Sequence, residues 1–345
     1  MRIFHSDEHR GHAGAKEMRY DELIPMCESP DRIDTILAAL REQGHRDVMQ
    51  ASRFDLAPVL RVHTPGFVDF LQRCWPLWEA EFGPRGFATA YMFGMRGMDQ
   101  VPNGSVHSML SCYTFDVCVP FVAGTWAAIR SAVDVTLSAA QHVADGADAA
   151  FALCRPPGHH ASADLAGGYC YVNNAAVAAQ KLLDGGASRI AILDVDYHHG
   201  NGTQSIFYDR DDVLYASLHA TPEREYPFLL GYARETGKGR GEGFNFNQPL
   251  PLGTRIDAYR PALATALARV RAHAPDVLVV SLGVDSYIRD PVGGFALESD
   301  DFPTIGADIA ALGLPTLFVM EGGYAIAELG VNTANVITGF AQARG

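Results

Sequence analysis

Ile192-Leu193-Asp194-Val195-Asp196-Tyr197-His198-His199-Gly200-Asn201-Gly202-Thr203 is where an apolar run turns into chemistry. From Ile190 to Val195 the chain is short, apolar and β-branched, the mark of a buried strand. Acids, histidines and glycines come next, as they do where a parallel strand delivers functional groups to the carboxyl edge of a sheet. Asp196 and His198 lie two apart, so in extended chain their side chains share a face. A carboxylate and an imidazole on one side supply two of the three protein ligands of a catalytic zinc site. Gly200 and Gly202 allow a sharp turn after them. Alone, the stretch fits a strand and a polar loop equally well, so the third ligand has to come from elsewhere in the chain.

Working outward, the pattern alternates. Towards the carboxyl terminus come a helix near Gln204–Tyr208, a strand from Val213 to His219 and a glycine-rich loop from Gly231 to Gly243. Beyond them lie a helix around Ala258–His273, a strand Val277–Leu282, a helix near Phe302–Leu312 and a last strand Leu314–Met320. Towards the amino terminus, an alanine-rich helix ends at Gly185-Gly186, a strand covers Ala149–Cys154 and a helix covers Gly124–Asp145. Met1–His5 reads as a strand, and Ile33, Ile36, Leu37 and Leu40 as one face of a helix stopped by Gly44. Leu60-Arg61-Val62-His63 reads as a strand before a helix at Phe67–Leu71, with His63 a packed or solvated histidine. Between about 75 and 123, Gly, Pro, Met and aromatics mix without period, which predicts a long loop excursion covering a site or a subunit interface. Strand–helix alternation predicts an α/β fold: a central parallel sheet with helices on both faces. No repeat or linker divides the chain, so residues 1–345 read as a single catalytic domain.

Composition narrows the function. Hydrophobic residues make up 48% and charged residues 19%, the balance of a globular chain. The formal net charge of −13 disfavours nucleic acid and is compatible with a cationic substrate. Six scattered cysteines without a CxxC pair point to a reduced, cytoplasmic protein. The apolar runs are too short to span a bilayer.

Four strand ends now carry polar groups beside glycine: His159-His160, Asp196 with His198, Asp285, and Tyr324. In a parallel sheet these ends share one edge, so Asp285 can complete a three-ligand site with Asp196 and His198. Two carboxylates and one imidazole favour zinc, although ferrous iron or manganese could use the same set. Such a metal polarises a carbonyl and lowers the pKa of its water. His159-His160 supplies imidazoles that accept a proton during attack and return it to a leaving amine. Asp194 and Asn201 are placed to fix their tautomers. Tyr324 can aim a hydroxyl at a developing oxyanion.

Arg155-Pro156-Pro157-Gly158-His159-His160, Asp194 to Thr203, Ser281-Leu282-Gly283-Val284-Asp285 and Met320-Glu321-Gly322-Gly323-Tyr324 resemble the histone deacetylase superfamily. Phe228-Leu229-Leu230-Gly231-Tyr232, Glu235-Thr236-Gly237-Lys238-Gly239 and Gly124-Thr125-Trp126 are similar to its bacterial acetylpolyamine amidohydrolase branch. The resemblance covers essentially the whole chain. It implies the arginase–deacetylase fold, with zinc on Asp196, His198 and Asp285. It implies His160 as general base and then acid, His159 as its electrostatic partner buttressed by Asp194, Asn201 facing His160, and Tyr324 on the oxyanion. Gly168 would offer its carbonyl to the substrate amide, and Tyr169 and Tyr226 would line a narrow tunnel. A structural potassium would use Asp194, Asp196, His198, Ser217 and Leu218. The implied reaction frees acetate and an amine from a small acetylated amine, in a homodimer or higher homo-oligomer without nucleic-acid or membrane partners.

The branch's tunnel-mouth acids are where this chain departs. His107 and Cys118 stand where glutamates are expected, and Arg289 is expected to put a positive charge near the mouth. Asp99, Asp116, Glu223 and Glu225 are the acids that could substitute. The alternative substrate is therefore acyl-lysine, free or in proteins, or another small amide. A two-metal arginase-like site would need Asp-x-His-x-Asp where this chain has Asp-x-Asp-x-His. A non-catalytic acylamine sensor would not need paired histidines and Tyr324.

Overall fold

The computed structural model describes residues 1–19, 21–95 and 100–345. Its strands are β1 (Arg2–His5), β2 (Lys16–Arg19), β3 (Glu22–Pro25), β4 (Val48–Gln50), β5 (Ala149–Ala152), β6 (Ile190–Asp194), β7 (Val213–Ala220), β8 (Asn245–Leu250), β9 (Val277–Leu282) and β10 (Thr316–Met320). Its helices are α1 (Asp31–Glu42), α2 (Ala57–Leu60), α3 (Pro65–Phe82), α4 (Val106–Tyr113), α5 (Thr125–Ala144), α6 (Asn174–Asp184), α7 (Asn201–Phe207), α8 (Ile256–His273), α9 (Phe302–Ala310) and α10 (Ile326–Arg344).

The main sheet has the order β4-β1-β5-β10-β9-β6-β7-β8, and every pairing in it is parallel. β2 and β3 form a separate antiparallel hairpin. Every residue of β5, β6, β7, β9 and β10 is buried. That happens only when both faces of a sheet are covered, and it is why these strands read as unbroken apolar runs. Helices α5 and α6 pack together and on the central strands, α8 lies on β6 to β8, and α1 and α9 pack on α10. Fully buried Phe151, Leu193, Val280 and Phe318 contribute about 1.5–3 kcal/mol each, which makes the middle of the sheet a stiff platform.

The four strands that end in site residues are neighbours: β5, β10, β9 and β6. Their register brings the ends level. Asp194 pairs with Ser281, and Val319 pairs with both Ala152 and Ser281. The loops leaving these four strands therefore emerge at one place.

The structure corrects several sequence-based expectations. Leu60–His63 is not a strand. Ala57–Leu60 is helix α2, with Pro58 in a first turn where its missing N–H is not needed, and a turn leads into α3. His63 is buried, and its Nε2 accepts from the Asn173 N–H at 3.0 Å, a packing role. The excursion between 75 and 123 is shorter than its composition suggests. The stripe of Phe67, Phe70, Leu71 and Cys74 carries α3 on to Phe82, and Ser105 caps α4 by accepting from Ser108 N–H. Strand β8 has no apolar signature because its buried positions Asn245 and Asn247 both donate to Gln204 Oε1, at 2.9 and 2.7 Å. The β2–β3 hairpin, β4 and α10 also escaped the sequence reading. No described helix is long and apolar enough to cross a membrane.

Candidate active site

Asp196 and His198 leave the end of β6, and Asp285 leaves the end of β9. Their donor atoms all lie within 4.8 Å of one another. His198 turns Nδ1 towards both acids, 2.9 Å from Asp285 Oδ2 and 3.3 Å from Asp196 Oδ1. Burial, and then the charge of Asp196, raises Asp285 to about 7. Two buried carboxylates facing one imidazole call for a cation. Gly322 keeps the space beside them open: a Cβ there would come within 2.5 Å of Asp285 Oδ2 and 2.6 Å of Asp196 Oδ2. The donor set and this clearance fit a divalent metal of the zinc or iron type.

His159 and His160 come after β5 with ring centroids 4.0 Å apart. His160 Nδ1 lies 2.8 Å from Asn201 Oδ1, an acceptor, so the ring donates from Nδ1 and keeps the Nε2 lone pair free. Burial, reinforced by His159 and His198, holds His160 well below the ordinary histidine range. His159 differs. Burial opposes its protonation, but Asp196 and Asp194 overcome that and raise it to about 10. Its Nδ1 donates to Asp194 Oδ2 at 3.1 Å, and Tyr215 donates to the same oxygen at 3.0 Å. One histidine is thus held neutral and its neighbour charged. Tyr324 comes after β10; burial drives its phenol well above the usual value, so it stays protonated as a donor.

Residues not picked out from the sequence hold these groups in place. Glu321 Oε2 accepts from Gly158 N–H at 2.7 Å and His159 N–H at 3.1 Å. Asp290 Oδ2 accepts from Tyr324 N–H at 2.6 Å. Beneath them, Glu28 Oε1 takes Arg155 Nε at 2.7 Å and Arg32 Nη1 at 2.9 Å. Arg32 also donates to the carbonyls of Glu321 and Gly323, and its guanidinium lies 4.8 Å from the Tyr324 ring centroid. The fold buries Arg32 and Arg155 together against Glu28.

Above this floor is a pocket of about 630 Å³, lined by His159, His160, His198 and Tyr324 below and by Gly168, Tyr169 and Tyr226 on its walls. Gly168 (φ +53°) is pressed so close that a Cβ would sit 2.4 Å from His160 Cδ2. Asp116 ties the walls together, its Oδ2 accepting from Tyr226 OH at 2.6 Å and Gly168 N–H at 2.8 Å. Tyr169 OH donates to Glu17 at 2.5 Å. Cys118, Arg19 and Glu225 also line the pocket.

Two residues expected at the mouth are elsewhere. His107 packs its ring against Trp78, Phe82 and Tyr91. Arg289 is exposed, pairs with Glu328 at 2.9 Å and is not among the lining residues. Of the substitute acids, Glu225 lines the pocket, Asp116 stands behind its wall, Glu223 is exposed, and Asp99 lies outside the described residues. Of the five residues expected to hold potassium, Asp194 and Ser217 are paired in register across β6 and β7.

Comparison with known proteins places this geometry among relatives. The family described as the histone deacetylase domain matches residues 26–340. Acetylpolyamine amidohydrolase 1 of Pseudomonas aeruginosa is 50% identical over 343 residues, covering 99% of each chain. The acetylpolyamine amidohydrolase of Mycoplana ramosa is 46% identical, covering 99% of this chain and 100% of its own. A crystal structure of the acetylpolyamine aminohydrolase from Burkholderia pseudomallei superposes over 100% of both chains with a TM-score of 0.94 at 38% identity.

Proposed function

The chain belongs to the histone deacetylase family, with its arginase–deacetylase fold, and from that premise we propose that it hydrolyses the acetyl amide of N-acetylated polyamines or related small amines. One observation carries this reading: a neutral histidine, a buried phenol and His198 line the floor of a single pocket, with the two other metal donors, Asp196 and Asp285, directly against His198. Zinc, or alternatively ferrous iron, would be held by Asp196, His198 and Asp285 and would supply Lewis acidity towards the amide carbonyl and a water molecule. His160 Nε2 takes a proton from the attacking water and passes it to the leaving amine nitrogen. The charged His159 beside it, anchored on Asp194, favours the negative charge that develops on the carbonyl oxygen. Tyr324 donates its hydroxyl to that oxygen. The Gly168 carbonyl receives the amide N–H, and Tyr169 and Tyr226 keep water from the substrate's alkyl chain. Potassium on Asp194, Asp196, His198, Ser217 and Leu218, a cytoplasmic location and self-association complete the proposal. For the last, Met95 and Leu229 line a further cavity of about 1050 Å³, and they, Tyr91 and Val101 are all more than 60% exposed.

A second reading, deacylation of acyl-lysine, is favoured by Cys118 and Arg19 at the pocket in place of further acids. Acetate release by the zinc-loaded protein from acetylputrescine, acetylcadaverine, acetylspermidine and an acetyl-lysine peptide separates the two. The small amines should be preferred; preference for the peptide would replace the first reading by the second.

A further inference from the structure

His5, Asp7 and His9 form a second group of metal donors, remote from the floor of the pocket. His5 ends β1, and Ser6 caps a single 3₁₀ turn, Asp7–Gly11, by accepting from Glu8 N–H at 3.3 Å. That turn folds the chain back so that donor atoms of all three side chains lie within 4.8 Å of one another. β1 is three strands from β9 in the sheet, roughly 14 Å at ordinary strand spacing.

The state of the imidazoles is the informative point. His5 is 5% exposed and His9 is 2% exposed. Among the described residues, Nδ1 of His5 and both ring nitrogens of His9 have no hydrogen-bond partner. Such an atom has given up its water without gaining a partner, so each one demands an explanation. The usual explanation for an orphaned imidazole, a proton shared with an acid, is available only to His5, whose Nε2 is 3.4 Å from Asp7 Oδ1. Burial, with Arg155 and His5 adding to it, lowers His9 to about 4, so its ring is neutral with a lone pair to offer at pH 7. Asp7 reaches the surface and keeps its charge. Arg10 also approaches Asp7 Oδ1, at 3.3 Å, but its main partner is Asp34, at 2.9 and 2.5 Å.

We infer that His5, Asp7 and His9 form a second, non-catalytic site for a first-row divalent cation such as zinc or cobalt. Two imidazoles and one carboxylate on one side of an ion leave its remaining positions to water, and the nitrogen-rich set selects against magnesium and calcium. The site also touches the support of the catalytic loop, because the His9 carbonyl accepts from Arg155 Nη1 at 2.8 Å. An ion here would fix the 3₁₀ turn on which Arg155 rests.

Equilibrium dialysis of the full chain against Co²⁺ and against Zn²⁺, with bound metal counted by mass spectrometry, tests this. Wild-type protein should bind two ions per chain, the second more weakly. Asp7→Asn should weaken only the second by about tenfold or more, and His5→Phe should abolish it. His198→Ala should remove the other ion and leave this one. The second equivalent should also raise the melting temperature of the wild type and not that of Asp7→Asn. One ion per chain in the wild type, or a second ion of unchanged affinity in Asp7→Asn, would overturn the inference. Asp7 is exposed, so Asp7→Asn reads the site without depending on a core substitution, and its own melting temperature checks that it folds.

Discussion

At the floor of the pocket, the functional side chains come from the loops that follow strands buried on both faces; at the mouth, Arg19, Cys118 and Glu225 come from the hairpin and from loops, with Asp116 behind them. The floor is locked twice, by strand register and by the buried Glu28–Arg32–Arg155 cluster under the catalytic loop and the Tyr324 turn. The mouth is held by single hydrogen bonds, those of Asp116 foremost. A floor so built tolerates no adjustment. A mouth so built can change its charge pattern while the chemistry below stays the same.

The largest effect is expected beneath the floor. Glu28→Ala leaves two buried guanidinium groups without their carboxylate and should cost about 3–5 kcal/mol of stability in chemical denaturation. A loss under 1 kcal/mol would mean that backbone carbonyls alone suffice to hold Arg32 and Arg155. On the floor itself, Tyr324→Phe should lower kcat about 100- to 1,000-fold with bound metal unchanged. Near-normal turnover in that variant would remove Tyr324 from the mechanism.

Acid should expose the same rigidity. His12 and His63 are buried, and burial lowers both to about 4, with Arg155 adding to the effect at His12. The unfolded chain takes up those protons first, so stability falls as pH drops from about 6.5 towards 4, by up to about 1.4 kcal/mol per pH unit for each histidine. Glu28 adds to the loss at lower pH. Burial raises its pKa, but Arg155 and Arg32 overcome this and lower it, so its contribution is present above about 4.5, the ordinary glutamate value, and disappears as pH falls through the depressed one. A melting temperature that stays flat from pH 7 to 5 would contradict neutral burial of the histidines.

At the mouth the effects shrink. Asp116→Asn should lower kcat/KM about tenfold, through one weakened charge-assisted hydrogen bond to Tyr226 or Gly168. A loss as large as that of Tyr324→Phe would show that the walls are as exacting as the floor. Arg289→Ala, on an exposed ion pair, should change stability by less than about 0.5 kcal/mol and leave kcat/KM for acetylputrescine unaltered. A gain in kcat/KM there would return Arg289 to the mouth and undo its reassignment to the surface.

The parallel sheet and the groups gathered at its edge follow from the order of residues alone, because an apolar strand, the glycines near its end and the polar residues beside them are neighbours in the chain. Asp196, His198, Asp285, His159, His160 and Tyr324 were legible for that reason. What surrounds them depends on how the folded chain packs. Glu28 meets Arg155 across 127 positions, and Asp116 meets Tyr226 across 110, separations at which no local period carries a signal. Contacts closer in sequence, but still beyond any local period, hid the fates of His107, taken into an aromatic cluster, and of Arg289, turned outward to Glu328 across 39 positions. Side-chain direction at a strand end is set by the alternation of the strand; side-chain direction in a loop is set by whatever packs against it, and that is known only once the chain is folded.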